Sequence, residues 1–397
     1  MAAITAAEKC LCSVLVLEAS SHPLEKVRIS GGGRCNVTHA CWDPTDLSVN
    51  YPRGKKFVLH SFRKFAAGDA VSWFSERGVD LVTEIDGRMF PSSNSSGEII
   101  SCLRNSAKSA GVQIQTKVDV IAINNSSQNN FFITSRDGSV FNSRIVLLAT
   151  GGAPGGRKIA LSLGHQIVPP LPSLFSFQLN DDMITSCSGL ALDNVDLVLS
   201  TTNKTFHEKG RFLITHWGCS GPSILRLSSF AARDLAFDKY KAKLKINWVN
   251  LNNKEMELLF KNYRNNHGKK SLLSFKPFPN LPRKLWVVLL NQASINSATR
   301  WSEIRKLDES KLIDVLISST YFVKGRGPFR DEFVTAGGIS LGEINLSTME
   351  SNIIKGMFFA GEVMDIDGLT GGFNFQHCWT SGWIAGLAIS KQYSHLK

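Results

Sequence analysis

Three short apolar runs decide what this chain can fold into. Val14-Leu15-Val16-Leu17 stops at Glu18, Ile145-Val146-Leu147-Leu148-Ala149 stops at Thr150-Gly151-Gly152, and Gly356-Met357-Phe358-Phe359-Ala360 stops at Gly361-Glu362. Apolar runs this short, without alternation, suit buried strands of a parallel sheet covered by helices. In open α/β sheets the ligand crevice lies at the carboxyl ends of such strands, where this chain places its acids and glycine pairs. The first run lies near the start of the 397 residues and the third near the end, so the signature of the first segment returns late in the chain.

The stretches between these runs separate into two kinds. Asp69 can cap a helix whose Ala70, Trp73, Phe74 and Arg77 share one face, closed by Gly78. Ser95-Ser96-Gly97-Glu98 has the form of a capping box ahead of Ile99, Leu103, Ala107 and Ala110, with Gly111 as the stop. Val112 to Ile123 reads as a strand, Asn124 to Asn130 as a polar loop, and Asp137-Gly138 as a hairpin turn. At Pro169-Pro170-Leu171-Pro172 the character changes, and that segment reads as a hinge. Asp193 to Phe206 then reads as antiparallel strands, while Lys254 to Asn265 and Asp308 to Ser318 read as helices within a β-rich segment.

Charge and cysteine content narrow the partners. The formal net charge is +12 with a pI near 9.3, but the basic residues come as short pairs such as Lys55-Lys56 and Lys269-Lys270. Such spacing reads as a dispersed solvated surface, so nucleic acid is not expected as a partner. No apolar stretch reaches the roughly 18 residues of a membrane-spanning helix, and no membrane partner is expected. The eight cysteines include no CxxC pair, which excludes zinc-ribbon and thioredoxin-type sites and suits a reducing compartment. A cytoplasmic location is the default expectation.

Several motifs carry chemistry. A carboxylate ending a strand, as Glu18 does, can accept hydrogen bonds from a ribose. Ser30-Gly31-Gly32-Gly33-Arg34-Cys35-Asn36 combines three glycines able to build an anion-binding nest with a charged fork and an amide. Thr150-Gly151-Gly152 lets backbone approach a flat ligand. Gly361-Glu362, Asp365, Gly371-Gly372, Asn374 and Gln376 precede an apolar helix running to Ile389, whose N-terminus would favour negative charge on a ligand. A GxGxxG loop is absent, and Met1 stands where the second half of its helix belongs. The expected explanation is a start assigned too late or a truncated product.

Taken together, these blocks resemble the YhiN/BaiN-like flavoproteins, NAD(P)/FAD-dependent or aminoacetone-oxidase-like oxidoreductases. The matching text is Lys26 to Thr38, Gly87 to Pro91, Leu148 to Gly152, Thr215 to Pro222, Thr335 to Ser340, Thr348 to Ser351, and Gly361 to Gly368 with Gly371 to Gln376 and Ser381-Gly382. The resemblance implies an α/β architecture with a split FAD-binding Rossmann domain, residues 1–168 and 335–397. A β-barrel-like domain at 169–334 would interrupt it, carrying a helical subdomain around 252–318. It also implies FAD contacts at Glu18, Gly31, Gly32, Gly33, Arg34, Cys35, Asn36, Thr150, Gly151, Gly152, Gly361, Glu362, Asp365, Gly372 and Asn374, with Val118 against the adenine.

The activity expected from that resemblance is flavin-dependent oxidoreduction of a small-molecule substrate, with NAD(P)H as a further candidate electron donor. No acid or base is assigned; His216, His377 and Cys35 are candidates only. A redox pair of cysteines is excluded, because Cys35 and Cys41 are one residue too far apart and no second nucleotide fingerprint exists. The alternative is a flavoprotein-derived binding protein without turnover, with RNA contact through its basic surface. No metal site is expected.

Overall fold

The computed structural model describes residues 1–10, 12–126, 130–328 and 334–394. Two compact units result, one built from 1–170 with 335–397 and the other from 171–334. The first holds two parallel strand pairs, Leu15–Glu18 with Gln113–Thr116 and Val146–Leu148 with Met357–Phe359. The second pair joins early and late sequence in register, Met357 to Val146 and Phe359 to Leu148.

The strands run parallel as expected, but the first run is not buried. Leu15 is 41% exposed and its strand is otherwise only half-buried. The reason is pairing: carbonyls of Val14 and Glu18 accept from Gln113 and Val118 on one side. By the alternation of a parallel ladder, Leu15 and Leu17 direct their backbone groups to the other side. Among the described residues nothing pairs there. Val146–Leu148 is likewise paired only with Met357–Phe359 and only partly buried, whereas Met357–Phe359 is fully buried and also accepts and donates to Met349–Ser351.

Helices form where capping and apolar spacing agree. Ala67–Ser75 takes Asp69 as its third residue, not as its cap; the carboxylate accepts from the Ala66 N–H at 2.7 Å. Ser96–Ser109 is capped by Ser95, while Glu98 accepts from Ser93 instead of closing the expected box. The stretch 112–123 breaks into Gln113–Thr116 and Val120–Asn125 at Lys117, whose φ is +60°. Residues 127–129 of the expected polar loop lie outside the described residues. The longest helix, Phe373–Ser394, closes the unit and packs on Ala2–Lys9, so closely that a Cβ on Gly386 would sit 2.6 Å from the Ala2 carbonyl oxygen.

The expected hinge at 169–172 is instead part of a strand, Ile167–Ser173, paired with Val334–Ile339. The other unit is a closed barrel of six strands, and its three longest helices among the described residues are Asn253–His267, Arg283–Gln292 and Lys306–Ser318. Its core is fully buried and centred on Phe177, Phe212, Trp286 and Trp301.

Candidate functional site

The glycine-rich turn after Val27 is built by left-handed backbone. Ser30 leaves helical geometry, and Gly31, Gly32 and Gly33 follow at φ +57°, +69° and +87°. A Cβ on Gly31 would meet the Phe90 ring at 2.9 Å, whereas nothing lies within 4 Å of one on Gly32 or Gly33. Gly31 is therefore glycine for packing. Gly32 and Gly33 leave open space beside bare, exposed backbone, which fits a bound phosphate-bearing ligand.

Arg34 does not stand free beside that open backbone. Its guanidinium lies 3.9 Å over the Phe90 ring and donates to Glu84 at 2.7 Å, and Glu84 accepts from Arg88 as well. These contacts hold the turn in place. Cys35 is fully buried at φ +62°, and burial pushes its thiol up to about 11, which keeps it protonated and excludes it as a nucleophile. Asn36, in the amide orientation that satisfies both partners, donates to the Thr38 carbonyl and accepts from the Gly372 N–H at 2.9 Å.

That last bond ties the turn to the closing helix. Thr38 donates to Gln376 at 2.6 Å, and the Trp379 indole donates to the Val37 carbonyl at 2.9 Å. Gly371 and Gly372, at φ +125° and +93°, deliver the chain to the helix start at Phe373. Asn374 returns to clasp the Gly368 N–H and carbonyl at 2.8 and 2.9 Å. Asp365 is buried, and its N–H donates to the Ile339 carbonyl.

Lys26 and Glu362 form the centre that the sequence does not announce. Their side chains meet at 2.8 Å. A Cβ on Gly151 would lie 3.7 Å from the Glu362 carboxylate and 3.8 Å from the Lys26 ammonium, with Gly152 alongside. Two of the three strand ends expected to line a crevice, Thr150–Gly152 and Gly361–Glu362, thus converge on one ion pair. Because Lys26 is mostly exposed, the pair adds little stability, roughly 0–1 kcal/mol, and is available to a ligand. Thr150 is exposed on the same turn, and its side chain fills the space over Gly156.

Glu18 and Val118 lie together further along. Val118 is buried and donates its N–H to the Glu18 carbonyl at 2.9 Å. The Glu18 carboxylate accepts from the Ser20 N–H at 2.8 Å through one oxygen. Of the histidines, His216 sits in a barrel turn against Trp217, whereas His377 lies on the first turns of the closing helix. Its Nε2 faces the Gly361 carbonyl at 3.3 Å, and its buried Nδ1 has no hydrogen-bond partner among the described residues.

Burial holds His377 down at about 4, so it is neutral at pH 7. An unfolded chain binds that proton near pH 6.5 while the folded one resists, so stability rises with pH between about 4 and 6.5. The difference accumulated at pH 4 is on the order of 3 kcal/mol. Urea midpoints should fall between pH 7 and pH 4.5, and His377→Asn should flatten that fall.

Sequence reasoning missed Lys26, His39, Tyr51 and the pair of Arg53 with Asp367. Arg53 donates to Asp367 with both side chains nearly inaccessible, 7% and 1% exposed. Tyr51 donates to the Phe373 carbonyl at 2.5 Å, and His39 stacks on the Phe373 ring at 4.7 Å. These residues anchor the start of the closing helix.

The residues gathered here fit a flavin dinucleotide: an open glycine cradle, a strand-end carboxylate, and the N-terminus of a 22-residue helix beside an accessible ion pair. A family model described as the HI0933-like protein Rossmann domain matches residues 1–388. The chain is 25% identical over 389 residues to the 3-dehydro-bile acid delta(4,6)-reductase of Clostridium scindens, covering 96% of this chain and 93% of that one. It is 26% identical over 392 residues to the ribosomal RNA dihydrouridine synthase of Haemophilus influenzae, again covering 96% and 93%. Among solved structures, 3-ketosteroid-delta4-(5alpha)-dehydrogenase of Rhodococcus jostii aligns with a TM-score of 0.48 at 14% identity, over 98% of this chain and 94% of that one.

Proposed function

The chain belongs to the HI0933-like Rossmann family of flavoprotein oxidoreductases, and on that premise we propose that it reduces an activated carbon–carbon double bond with FAD, recharged by NAD(P)H. The observation that carries this reading is the convergence of Lys26, Gly151, Gly152 and Glu362 beside the start of the closing helix. The names of both relatives, a delta(4,6)-reductase and a dihydrouridine synthase, describe adding two hydrogens across a double bond. FAD, when bound, supplies two-electron transfer.

The chain's own residues do the binding and orienting. Glu18 offers a carboxylate to ribose hydroxyls and Val118 an apolar wall to the adenine. Gly32 and Gly33 offer side-chain-free backbone to phosphate, with Gly31, Arg34, Cys35 and Asn36 fixing the turn. Thr150, Gly151, Gly152, Gly361 and Glu362 line the flavin end, where Lys26 supplies positive charge. Gly372, Asn374 and Asp365 set the helix N-terminus, whose partial positive charge, roughly half an elementary charge, favours an electron-rich ligand. His377 is neutral at pH 7 and is not a loaded proton donor.

The test is the visible absorption spectrum of the purified chain reconstituted with FAD, beside Gly32→Val. Wild type should retain flavin bands through gel filtration. A Cβ at position 32 meets no atom within 4 Å, so the fold of the variant should survive at a strain of about 1–2 kcal/mol, while retained flavin falls about tenfold or more. Equal flavin in both would remove the glycine turn from the site, and no flavin in either would remove the cofactor.

A further inference from the structure

The +12 charge is not spread evenly through the fold. Residues 171–334 contain 24 Lys and Arg against 15 Asp and Glu, so this unit carries +9 of the total. Within it, strand register sorts the charge onto one outer face of the barrel. Ala191–Ser200 lies between Thr205–Thr215 and Ala242–Asn247, and the latter pairs onward with Ser319–Arg326. Three rows cross these strands: Lys209, Asp196 and Asn247; His207, Val198, Lys245 and Thr320; Thr205, Ser200, Lys243 and Phe322.

Alternation turns Leu197, Leu199, Leu244, Ile246, Tyr321 and Val323 into the barrel core, so Lys209, Lys243, Lys245 and Lys324 face solvent. Arg226 with Glu208 and Arg211 with Asp193 are ion-paired in this unit, and Glu255 and Asp314 line the hollow beside Lys209 and Lys245. Among the described residues these four lysines have no carboxylate within 4 Å, and Asp196 is the one carboxylate on the three rows. Phe322 stands among them 66% exposed, with the Lys243 ammonium 5.9 Å from its ring. A flat aromatic ring on an otherwise cationic sheet offers a base a stacking platform and its phosphates a row of counter-charges.

We propose that this outer barrel face binds single-stranded nucleic acid, with Lys209, Lys243, Lys245 and Lys324 on phosphates and Phe322 under a base. The inference is independent of the flavin reading, because binding is measured without turnover. Rows two residues apart along a strand are about 6.6–6.8 Å apart, a spacing that lets neighbouring lysines take separate phosphates.

The experiment is fluorescence anisotropy of the full chain with matched unstructured 20-nucleotide RNA and DNA, between 50 and 200 mM salt. Four neutralised phosphates predict a log–log salt slope near −2.8, at about −0.7 for each. Lys243→Gln with Lys245→Gln should bring the slope down by about 1.4 units in magnitude. Phe322→Ala should weaken binding by roughly 5- to 150-fold, the worth of one stacked base, with little change in slope. Lys55→Gln with Lys56→Gln, in the other unit, should leave both quantities unchanged. The two oligonucleotides then say whether RNA or DNA is preferred.

The proposal is overturned by the absence of salt-dependent binding at 50 mM, by barrel variants with wild-type slope and affinity, or by binding to anionic phospholipid vesicles without binding to either strand. Thermal midpoints of the variants within a few degrees of wild type exclude misfolding as the cause of a loss. A flavin-free chain that still binds would leave this inference standing while the redox reading fell.

Discussion

Asp367→Ala is expected to destabilise the unit formed by 1–170 and 335–397 by about 3–5 kcal/mol, because it removes the buried carboxylate to which the Arg53 guanidinium, itself only 7% exposed, donates through two nitrogens. At roughly 2–4 °C per kcal/mol for a unit of this size, the midpoint should fall by about 6–20 °C. Replacing the pair together, Arg53→Met with Asp367→Leu, should cost much less, since no charge is then left without its counter-ion. A double variant as unstable as the single one would show that the carboxylate acts through something other than Arg53. The pair also bridges backbone between 53 and 367, so flavin retention should fall with stability in the single variant.

Gly372→Ala should be comparably damaging for a different reason. Its Cβ would sit 2.4 Å from the Thr38 carbonyl oxygen and 2.5 Å from that carbonyl carbon, and φ is +93°. Both obstacles are backbone, so no side-chain rotation relieves them. Left-handed strain alone is about 1–2 kcal/mol, and the forced separation of the Asn36–Thr38 segment from the helix start adds to it. A loss of about 3 kcal/mol or more and loss of retained flavin are expected by denaturant titration and absorbance. Gly33→Ala makes the comparison, since its φ of +87° is similar but its Cβ meets nothing within 4 Å. If the two variants lose equal stability, steric contact with Thr38 is not what confines position 372 to glycine.

Much of the first unit is legible along the chain because the signals are local. Parallel strands announce themselves as short apolar runs, and helix ends as caps and glycines. Burial does not, since it depends on neighbours: Val14 to Leu17 has the composition of an inner strand yet half of it faces solvent. The site follows the same division. Gly31 to Gly33 are visible as a turn, but which of them packs on Phe90 and which stays open is set by a ring about 60 residues away. Arg34 reads as a ligand-binding fork until Glu84, 50 residues on, takes it up. Lys26 with Glu362, and Arg53 with Asp367, are separated by 336 and 314 residues, and no spacing rule reaches that far.

How the lysines of the barrel group is likewise not visible along the chain. Lysines at 243 and 245 are merely two residues apart in the chain, and those at 209 and 324 are distant. Only the ladder brings them onto one face.

The half-finished sheet has a practical side. Leu15–Glu18 and Val146–Leu148 each present unsatisfied backbone and apolar side chains along one margin, which is a template for adding a strand. Folding of a single chain does not depend on how crowded the solution is, but encounters between such margins do. Association through these margins should therefore rise with protein concentration, which light scattering across a dilution series would read.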